Sequence, residues 1–245
     1  MVARTTAIIQ ARMGSTRLQG KALVDIAGKT MLDRVVTRVG QARLVDAIMV
    51  ATTTEDRDDP LAQEAHRLGV AVFRGSEEDV LDRYVRAAQA CRADVVVRIT
   101  SDCPLIDPGV IDDVVTRFVA EDADYASNTL ERSYPRGLDV EVMTTAALER
   151  SRREADAAYQ RVHVTPFLYE HPKLFKLVSV VSAGPRSDLR WTVDTPEDLA
   201  LVRALYARLS DRTSFSWTDV LAIVIAEPAL AMVNAESTQK ELRDG

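Results

Sequence analysis

The sequence predicts a three-layer α/β domain, in which helices cover both faces of a mostly parallel sheet. Segments rich in β-branched residues alternate with segments of helical period, and this alternation is typical of such sheets. Several strand segments are nearly continuous apolar runs, as in strands that are buried on both faces. A chain of 245 residues, 47% of them hydrophobic, is long enough to form one large domain of this kind.

Strand and helix segments alternate regularly through the first half of the chain. Thr5–Gln10 predicts a buried strand, and a polar loop over residues 11–28 connects it to a helix that begins near Thr30. Further strands are predicted at residues 47–53, 71–73 and 94–99, and further helices at residues 60–68, 77–91 and 108–119. Pro108 suits the first turn of its helix, because no intrahelical hydrogen bond needs an N–H there. These units predict a parallel order of strands.

The pattern changes after about residue 122, where we expect a small α+β insertion beside the sheet at about residues 123–182. Its predicted strands are residues 125–128, 138–143 and 174–181, and its predicted helices are residues 146–153 and 159–169. The parallel pattern resumes with a strand at residues 189–193 and a helix at residues 195–209, with Thr195 as N-cap. Residues 1–226 then form a single domain. Residues 227–245 are charged and lack apolar periodicity, which predicts a frayed helix or a disordered tail.

The composition excludes several classes of protein. With 37 acidic and 31 basic residues the net charge is −6, which disfavours general binding to nucleic acid. No apolar run near the start is long enough for a secretory signal or a membrane span. Cys91 and Cys103 form no CxxC pair, which supports neither a disulfide framework nor a zinc site. We therefore expect a reduced, cytoplasmic protein with no nucleic-acid or membrane partner.

The loop of residues 11–21 has the composition of a phosphate-binding loop. It places three cations, two glycines and two hydroxyl side chains directly after the first strand. In open α/β sheets the ligand crevice lies beyond the carboxyl ends of the strands. Glycines let backbone N–H groups approach phosphate oxygens, whose charge Arg and Lys then neutralise. Neither a Walker A loop nor a GxGxxG motif is present, and a solvated basic surface is the alternative interpretation.

Two aspartates each follow a predicted strand and should face the same crevice. Asp102 lies in TSDCPLID and Asp194 in VDTPEDL. Mg²⁺ in proteins takes one or two carboxylates and fills its other positions with substrate phosphate and water, so this pair predicts a site for phosphoryl or nucleotidyl transfer. A turn before Pro104 and a cap beside Thr195 are the structural alternatives for these aspartates.

Five strings, in order along the chain, resemble one family. They are IIQARMGSTRLQGKAL, GSEEDVLDRY, TSDCPLID, PRGLDVEV and VDTPEDLALVR, and they fall between about residues 5 and 209. They resemble the cytidylyltransferases related to CMP-KDO and CMP-sialic acid synthetases, above all the spore-coat polysaccharide biosynthesis type. The resemblance implies a Rossmann-like nucleotide-diphospho-sugar transferase fold and a homodimer. It also implies Mg²⁺-dependent transfer of CMP from CTP to an anionic acceptor, a sugar acid or a phosphonate-like metabolite, with release of pyrophosphate.

The resemblance also implies roles for the matching residues. Arg12, Arg17 and Lys21 would neutralise the triphosphate and act in catalysis, while Asp102 and Asp194 would bind Mg²⁺. The implied nucleotide-binding residues are Ala11, Arg12, Gly14, Ser15, Arg17, Lys21, Thr52, Thr53, Thr100 and Ser101. Thr100 and Ser101 stand where the synthetases have Gln and Gly, so recognition of the base or the acceptor is expected to differ.

The insertion would set the acceptor and form the dimer surface. The implied acceptor-binding residues are Arg136, Asp139, Glu141 and His163. Val162 replaces the glutamate that usually precedes this histidine in the family. No histidine is placed by the sequence to act as a general base, and we assign none.

Other functions remain open at this stage. A nucleotidyltransferase of the same fold could use another nucleoside triphosphate. A glycosyltransferase-like enzyme would need a DxD metal motif, which DRDD at residues 56–59 imitates weakly. A non-catalytic nucleotide-binding protein is the alternative from another class, but such a protein would not be expected to retain the complete charged set.

Overall fold

The computed structural model describes residues 3–15, 17–209 and 214–238. Its strands are β1 Thr5–Gln10, β2 Asp25–Ile26, β3 Lys29–Thr30, β4 Ala47–Thr53, β5 Ala71–Gly75, β6 Val95–Thr100, β7 Tyr125–Ser127, β8 Glu141–Thr144 and β9 Leu177–Ser179. Its α-helices are α1 Met31–Val39, α2 Asp59–Arg67, α3 Val80–Cys91, α4 Pro108–Ala120, α5 Thr145–Glu154, α6 Ala158–His163, α7 Pro166–Glu170, α8 Pro196–Leu209, α9 Trp217–Ala226 and α10 Ala229–Met232.

A seven-stranded sheet in the order β5-β4-β1-β6-β8-β7-β9 forms the centre of the described structure. The strands β5, β4, β1 and β6 are parallel, and β8 pairs antiparallel with both β6 and β7. Helices cover both faces because alternate residues of a strand point to opposite sides. In β1, Ala7 and Ile9 join one apolar cluster with residues of α1, α4 and α8, whereas Ile8 joins another with residues of α3 and α5. The predicted three-layer, mostly parallel α/β architecture is confirmed.

The helices α1 and α4 flank the crevice, and each begins at a residue whose side chain caps it. Thr30 caps α1 by accepting a hydrogen bond from the Asp33 N–H at 3.0 Å. Asp107 caps α4 in the same way, and Pro108 occupies its first turn. Such caps satisfy N–H groups that have no partner within the helix. They fix the starts of helices that follow loops at the carboxyl edge of the sheet.

The sequence predicts that residues 123–182 lie beside the sheet. In the structure, strands of this region extend the sheet instead. β8 pairs with β6 from Val95↔Thr144 to Arg98↔Glu141, so the antiparallel part is continuous with the parallel part. The single helix predicted at residues 159–169 is two short helices, α6 and α7. The chain turns between them at Val164, whose φ is +75°, and Pro166 begins the second helix.

Two further predictions differ from the structure. Residues 189–193 form no strand; Arg190 makes only an isolated parallel bridge with Arg136. Trp191 and Val193 of this segment are buried in the same apolar cluster as Ala7 and Ile9. Gly137 lies against its backbone so closely that a Cβ there would lie 2.6 Å from the Thr192 nitrogen. Residues 227–238 contain the short helix α10, and although most of the segment is exposed, Leu230 and Asn234 are buried. Residues 239–245 of the predicted tail lie outside the described residues.

None of the helices in the described parts of the chain combines the length and the apolar character that a membrane crossing requires.

Candidate active site

The loop of residues 11–21 and Asp102 follow two neighbouring parallel strands, β1 and β6, and meet at the carboxyl edge of the sheet. The Lys21 Nζ donates hydrogen bonds to Asp102 Oδ2 at 2.8 Å and to Asp194 Oδ1 at 2.7 Å. It also donates to the Val193 carbonyl at 3.0 Å. The fold therefore brings Lys21 onto two aspartates that are 81 and 173 residues away in the sequence.

The charges around Lys21 stabilise one another. Burial by itself raises the pKa of Asp102, but the Lys21 ammonium outweighs it and lowers the pKa of that carboxyl to about 2. Burial also lowers the pKa of Lys21, yet the Asp102 and Asp194 carboxylates hold it above its ordinary value. Lys21 is thus an ammonium and Asp102 a carboxylate at neutral pH. The cap of α8 is made by Thr195, so the Asp194 side chain is not used as a cap.

Asp194 is surrounded by cations. Its Oδ2 accepts from Arg190 Nη2 at 2.8 Å and lies 3.1 Å from Arg17 Nη2. The fully buried Asp198 in turn accepts from Arg190 Nε at 3.0 Å and from the Asp194 N–H at 3.0 Å. The sequence analysis assigned neither Arg190 nor Asp198 to the site. The three-residue spacing from Thr195 to Asp198 was the available signal.

The donor set fits a magnesium ion that is shared with a phosphate ligand. Both aspartates lie within hydrogen-bond distance of one atom, the Lys21 Nζ. Their carboxylates therefore converge on one position, which the Lys21 ammonium fills. Within the described residues, no group of three or more His, Cys, Asp or Glu side chains could hold a metal by itself. Two carboxylates completed by phosphate oxygens and water is the coordination that Mg²⁺ prefers.

The start of the loop is more open than its end. Arg12 is half exposed, and its Nη1 is 3.9 Å from Glu77 Oε1, which also lies beside Gly14. Arg57 forms an ion pair with the same glutamate. Ala11 is buried, and its N–H donates to the Ala51 carbonyl at 3.2 Å. The Arg12 guanidinium can therefore bind a ligand with little loss of stabilising interactions within the protein.

Thr52 and Thr53 lie at the end of β4, as predicted, but they are fully buried. Their hydroxyls donate to Asp58 Oδ2 at 2.8 and 2.6 Å, and the Met13 N–H donates to Asp58 Oδ1 at 2.8 Å. Burial works against the charged form, but these hydrogen bonds outweigh it and hold the pKa of Asp58 below its ordinary value. Asp58 thus ties the loop to β4. It belongs to the DRDD string, and because Asp58 is buried and already bound to Thr52, Thr53 and Met13, the string does not suit a DxD metal site.

Ser15, Thr100 and Ser101 lie at the same edge of the sheet. The Ser15 Oγ accepts from the Leu18 N–H at 3.4 Å within the loop. Ser101 is buried, and its N–H donates to the Gln10 carbonyl at 2.9 Å, which joins the ends of β1 and β6. The Thr100 hydroxyl lies 3.4 Å from the Cys103 Sγ. These contacts fix the backbone on which Asp102 stands.

The four residues implied in acceptor binding have different surroundings. Asp139 pairs with Arg132 through both oxygens, at 2.7 and 3.1 Å. Glu141 is buried, where it forms an ion pair with Arg98 and accepts from the Tyr125 hydroxyl at 2.6 Å. His163 ends α6, which packs against α3 on the face of the second apolar cluster. Glu141 is therefore held within the sheet, whereas His163 belongs to the helical layer that covers it.

Arg136 has no ion pair with a carboxylate among the described residues, although the charge of the nearby Asp139 acts to raise its pKa. Its backbone is paired with the segment that leads to Asp194: the Arg136 N–H donates to the Leu189 carbonyl and the Trp191 N–H to the Arg136 carbonyl. Burial and the nearby charges of Arg132 and Arg190 lower the pKa of Arg136. The side chain borders a cavity of about 320 Å³ that Arg190 and Asn234 also line.

Comparison with known proteins gives one family. Residues 6–213 match the family model described as Cytidylyltransferase. The chain is 35% identical over 232 residues to the spore coat polysaccharide biosynthesis protein SpsF of Bacillus subtilis, which covers 91% of this chain and 95% of that protein. Among solved structures, a cytidylyltransferase from Leptospira borgpetersenii superposes with a TM-score of 0.90 and 31% identity, over 98% of this chain and 100% of that one.

A CMP:2-keto-3-deoxy-manno-octonic acid synthetase in complex with CTP superposes with a TM-score of 0.66 and 22% identity, over 84% of this chain and all of that one. This match shows a shared fold. The fold and the resemblance that the sequence predicted are both confirmed. The chain belongs to the cytidylyltransferase family and is a nucleotidyltransferase.

Proposed function

We propose that this protein transfers CMP from CTP to an anionic small-molecule acceptor, a sugar acid or a phosphonate-like metabolite, with Mg²⁺ and with release of pyrophosphate. The observation that carries the proposal is the Lys21 ammonium held between Asp102 and Asp194 at the end of a loop that also bears Arg12 and Arg17. Such a cluster suits a triphosphate and its metal ion.

The choice of CTP is supported by the relatives. The family model is named for cytidylyltransfer, and the synthetase of the same fold described above binds CTP. In this chain the ligand would lie beyond the carboxyl ends of β1 and β6, against the loop of residues 11–21. Thr52 and Thr53 would act on the base subsite indirectly, because their hydroxyls are bound to Asp58.

Catalysis would consist mainly of positioning and charge neutralisation. An acceptor oxygen attacks the α-phosphorus of CTP, and the bond from that phosphorus to the bridging oxygen breaks, so that pyrophosphate leaves with the electron pair. An acceptor carboxylate or phosphonate oxygen carries no proton, and an acceptor hydroxyl releases its proton to solvent. Arg12, Arg17 and Lys21 would neutralise the charge that develops on the phosphate oxygens. Asp102 and Asp194 would hold Mg²⁺, which when bound supplies further neutralisation and polarises the phosphate. No side chain is assigned as a general base.

The anionic character of the acceptor is supported by Arg136. A partly buried guanidinium beside two other arginines, with no ion pair among the described residues, favours an anion as its partner. Asp139 is partly exposed and forms an ion pair with Arg132. Because each carboxylate oxygen can accept more than one hydrogen bond, Asp139 can also accept from acceptor hydroxyls. We propose that Glu141 and His163 support this region from within the fold.

We further propose a homodimer, formed by the region of residues 125–181, and a reducing, cytoplasmic setting. The exposed Leu174 and Val181 are apolar positions in that region, and both cysteines are free. Sedimentation velocity of the purified protein should show the mass of two chains. A monomer at micromolar concentration would contradict the dimer without touching the chemistry.

The chemistry is tested first by thermal unfolding with Mg²⁺ and each of CTP, UTP, ATP, GTP and dTTP. A ligand that binds only the native state raises stability by RT ln(1 + [L]/Kd). We expect the largest shift with CTP, followed by pyrophosphate release when anionic acceptors are added. A larger shift with another nucleotide would contradict the use of CTP, and no shift with any of them would contradict nucleotide transfer.

A further inference from the structure

The segment after α9 contacts Asp198 and Arg190, the two residues that are hydrogen-bonded to Asp194. Asn234 is buried, and its Nδ2 donates to Asp198 Oδ1 at 2.7 Å and to the Arg190 carbonyl at 3.0 Å. Three residues later the Ser237 hydroxyl lies 3.1 Å from that of Thr195. These contacts lie beyond residues 6–213, the part of the chain that the family model matches.

The same segment also touches the phosphate loop. The Thr238 carbonyl accepts from Arg17 Nη1 at 3.3 Å, while another nitrogen of the same guanidinium contacts Asp194. Residues 234–238 therefore contact the site from two sides. Ser237 contacts Thr195 at the start of α8, next to Asp194, and Thr238 contacts Arg17, which is itself paired with Asp194.

The contacts form one continuous path from Asn234 to Asp194. Asn234 holds Asp198, and Asp198 holds Arg190 through both of its oxygens, at 3.0 and 3.1 Å. Arg190 then donates to Asp194 Oδ2 at 2.8 Å, which leaves Asp194 Oδ1 directed to Lys21. Removing the amide of Asn234 would leave a buried carboxylate oxygen with one fewer donor. Arg190 would then be free to turn towards Asp198 and away from Asp194.

We infer that Asn234 is a positioning residue of the active site and that residues 234–238 form part of its wall. Asn234 sets the orientation of the Asp194 carboxylate through Asp198 and Arg190. This inference rests on the proposed function, since it concerns the aspartate assigned to Mg²⁺. Groups that orient metal ligands in this way commonly change metal affinity or activity by about 10- to 100-fold when they are removed.

The test measures Mn²⁺ binding to the full-length chain in the presence of CTP, by the loss of the free Mn²⁺ signal in electron paramagnetic resonance beyond the loss that the same concentration of CTP causes without protein. We expect Asn234→Ala to raise the Kd for Mn²⁺ by about tenfold. Asn234→Asp keeps the size of the side chain but places a carboxylate directly against the buried Asp198 carboxylate, and it should raise the Kd more. The matched control is Met232→Ala, since Met232 is 71% exposed in the same segment.

Turnover gives a second readout. In both Asn234 variants kcat should fall and the Mg²⁺ concentration for half-maximal rate should rise, while KM for CTP changes by less. If both variants bind Mn²⁺ within twofold of the wild type, the inference is wrong, whatever their melting temperatures. The wild type separates the two hypotheses: if it fails to bind Mn²⁺ with CTP, the proposed function fails before any variant is compared.

Discussion

The two ends of the loop of residues 11–21 are built differently. Lys21 is 14% exposed and lies 2.7 and 2.8 Å from two carboxylates. Arg12 is 49% exposed and lies 3.9 Å from Glu77. A buried ion pair is costly to break because the remaining charge stays uncompensated, whereas an exposed pair contributes little. One end of the loop is therefore assembled before any ligand arrives, and the other contributes a charge that can move to the ligand.

The largest effect should come from removing a carboxylate at the assembled end. Asp102→Asn and Asp194→Asn keep the size of each side chain but remove the charge that would hold Mg²⁺, so we expect turnover to fall by about 100-fold or more. Pyrophosphate release measures the rate, and circular dichroism checks the fold. Glu154→Gln, at an exposed glutamate of α5, is the control. Rates near wild type in both aspartate variants would remove the metal assignment.

A smaller but still large effect should follow from Lys21→Ala. The variant loses a cation at the reacting phosphates and leaves two carboxylates facing each other. We therefore expect kcat to fall by about 100-fold, with a smaller change in the Kd for CTP. Lys29→Ala, at an exposed lysine on the same connection, should keep both values. An equal loss in binding and in rate would mean that Lys21 contacts the ground state and the transition state alike.

At the open end the effect should be smaller and should appear in binding. Arg12→Ala removes one charge from the triphosphate site without uncovering a buried partner, so we expect KM for CTP to rise by about tenfold, which is about 1.4 kcal/mol. Arg57→Ala, at the other arginine paired with Glu77, separates loss of that pair from loss of a ligand contact. If both variants raise KM equally, Glu77 rather than the nucleotide explains the effect.

The smallest effect is on the pH dependence of stability. It tests Asp58, which ties the open end of the loop to β4. The pKa of Asp58 is below its ordinary value of 3.8, so its charged form stabilises the fold above that pH. This contribution is lost as the pH falls through the lower pKa of the folded state. The difference in unfolding free energy between wild type and Asp58→Asn should be largest above about pH 5 and shrink below 3.8. A difference that does not vary with pH would contradict this assignment.

Sequence patterns predicted the parallel half of the fold better than the rest. The apolar runs of β1 and β4 have a single explanation, and the structure gives them the predicted bounds. Residues 189–193 have the same apolar character, but Trp191 and Val193 are buried in the apolar cluster without a ladder of strands. Apolar character predicts burial, and it leaves open which backbone covers the segment.

The candidate site divides in the same way. Lys21, Asp102 and Asp194 could be found from the sequence because Lys21 ends a basic, glycine-containing loop after the first strand and each aspartate directly follows a buried segment. Arg190 and Asn234 could not, because their role depends on which distant carboxylate they meet; Asn234 reaches Asp198 across 36 residues. Only the packed structure supplies that pairing.

The distances along the chain between the residues at Lys21 have a consequence for folding kinetics. Its partners are 81 and 173 residues away, so the cluster closes only after most of the polypeptide has condensed. Isolated helices and the pairing of β1 with β4 form from shorter loops and can appear earlier. During refolding, recovery of helical signal should therefore precede recovery of turnover. A chain still emerging from the ribosome lacks the assembled cluster until the segment that carries Asp194 is released.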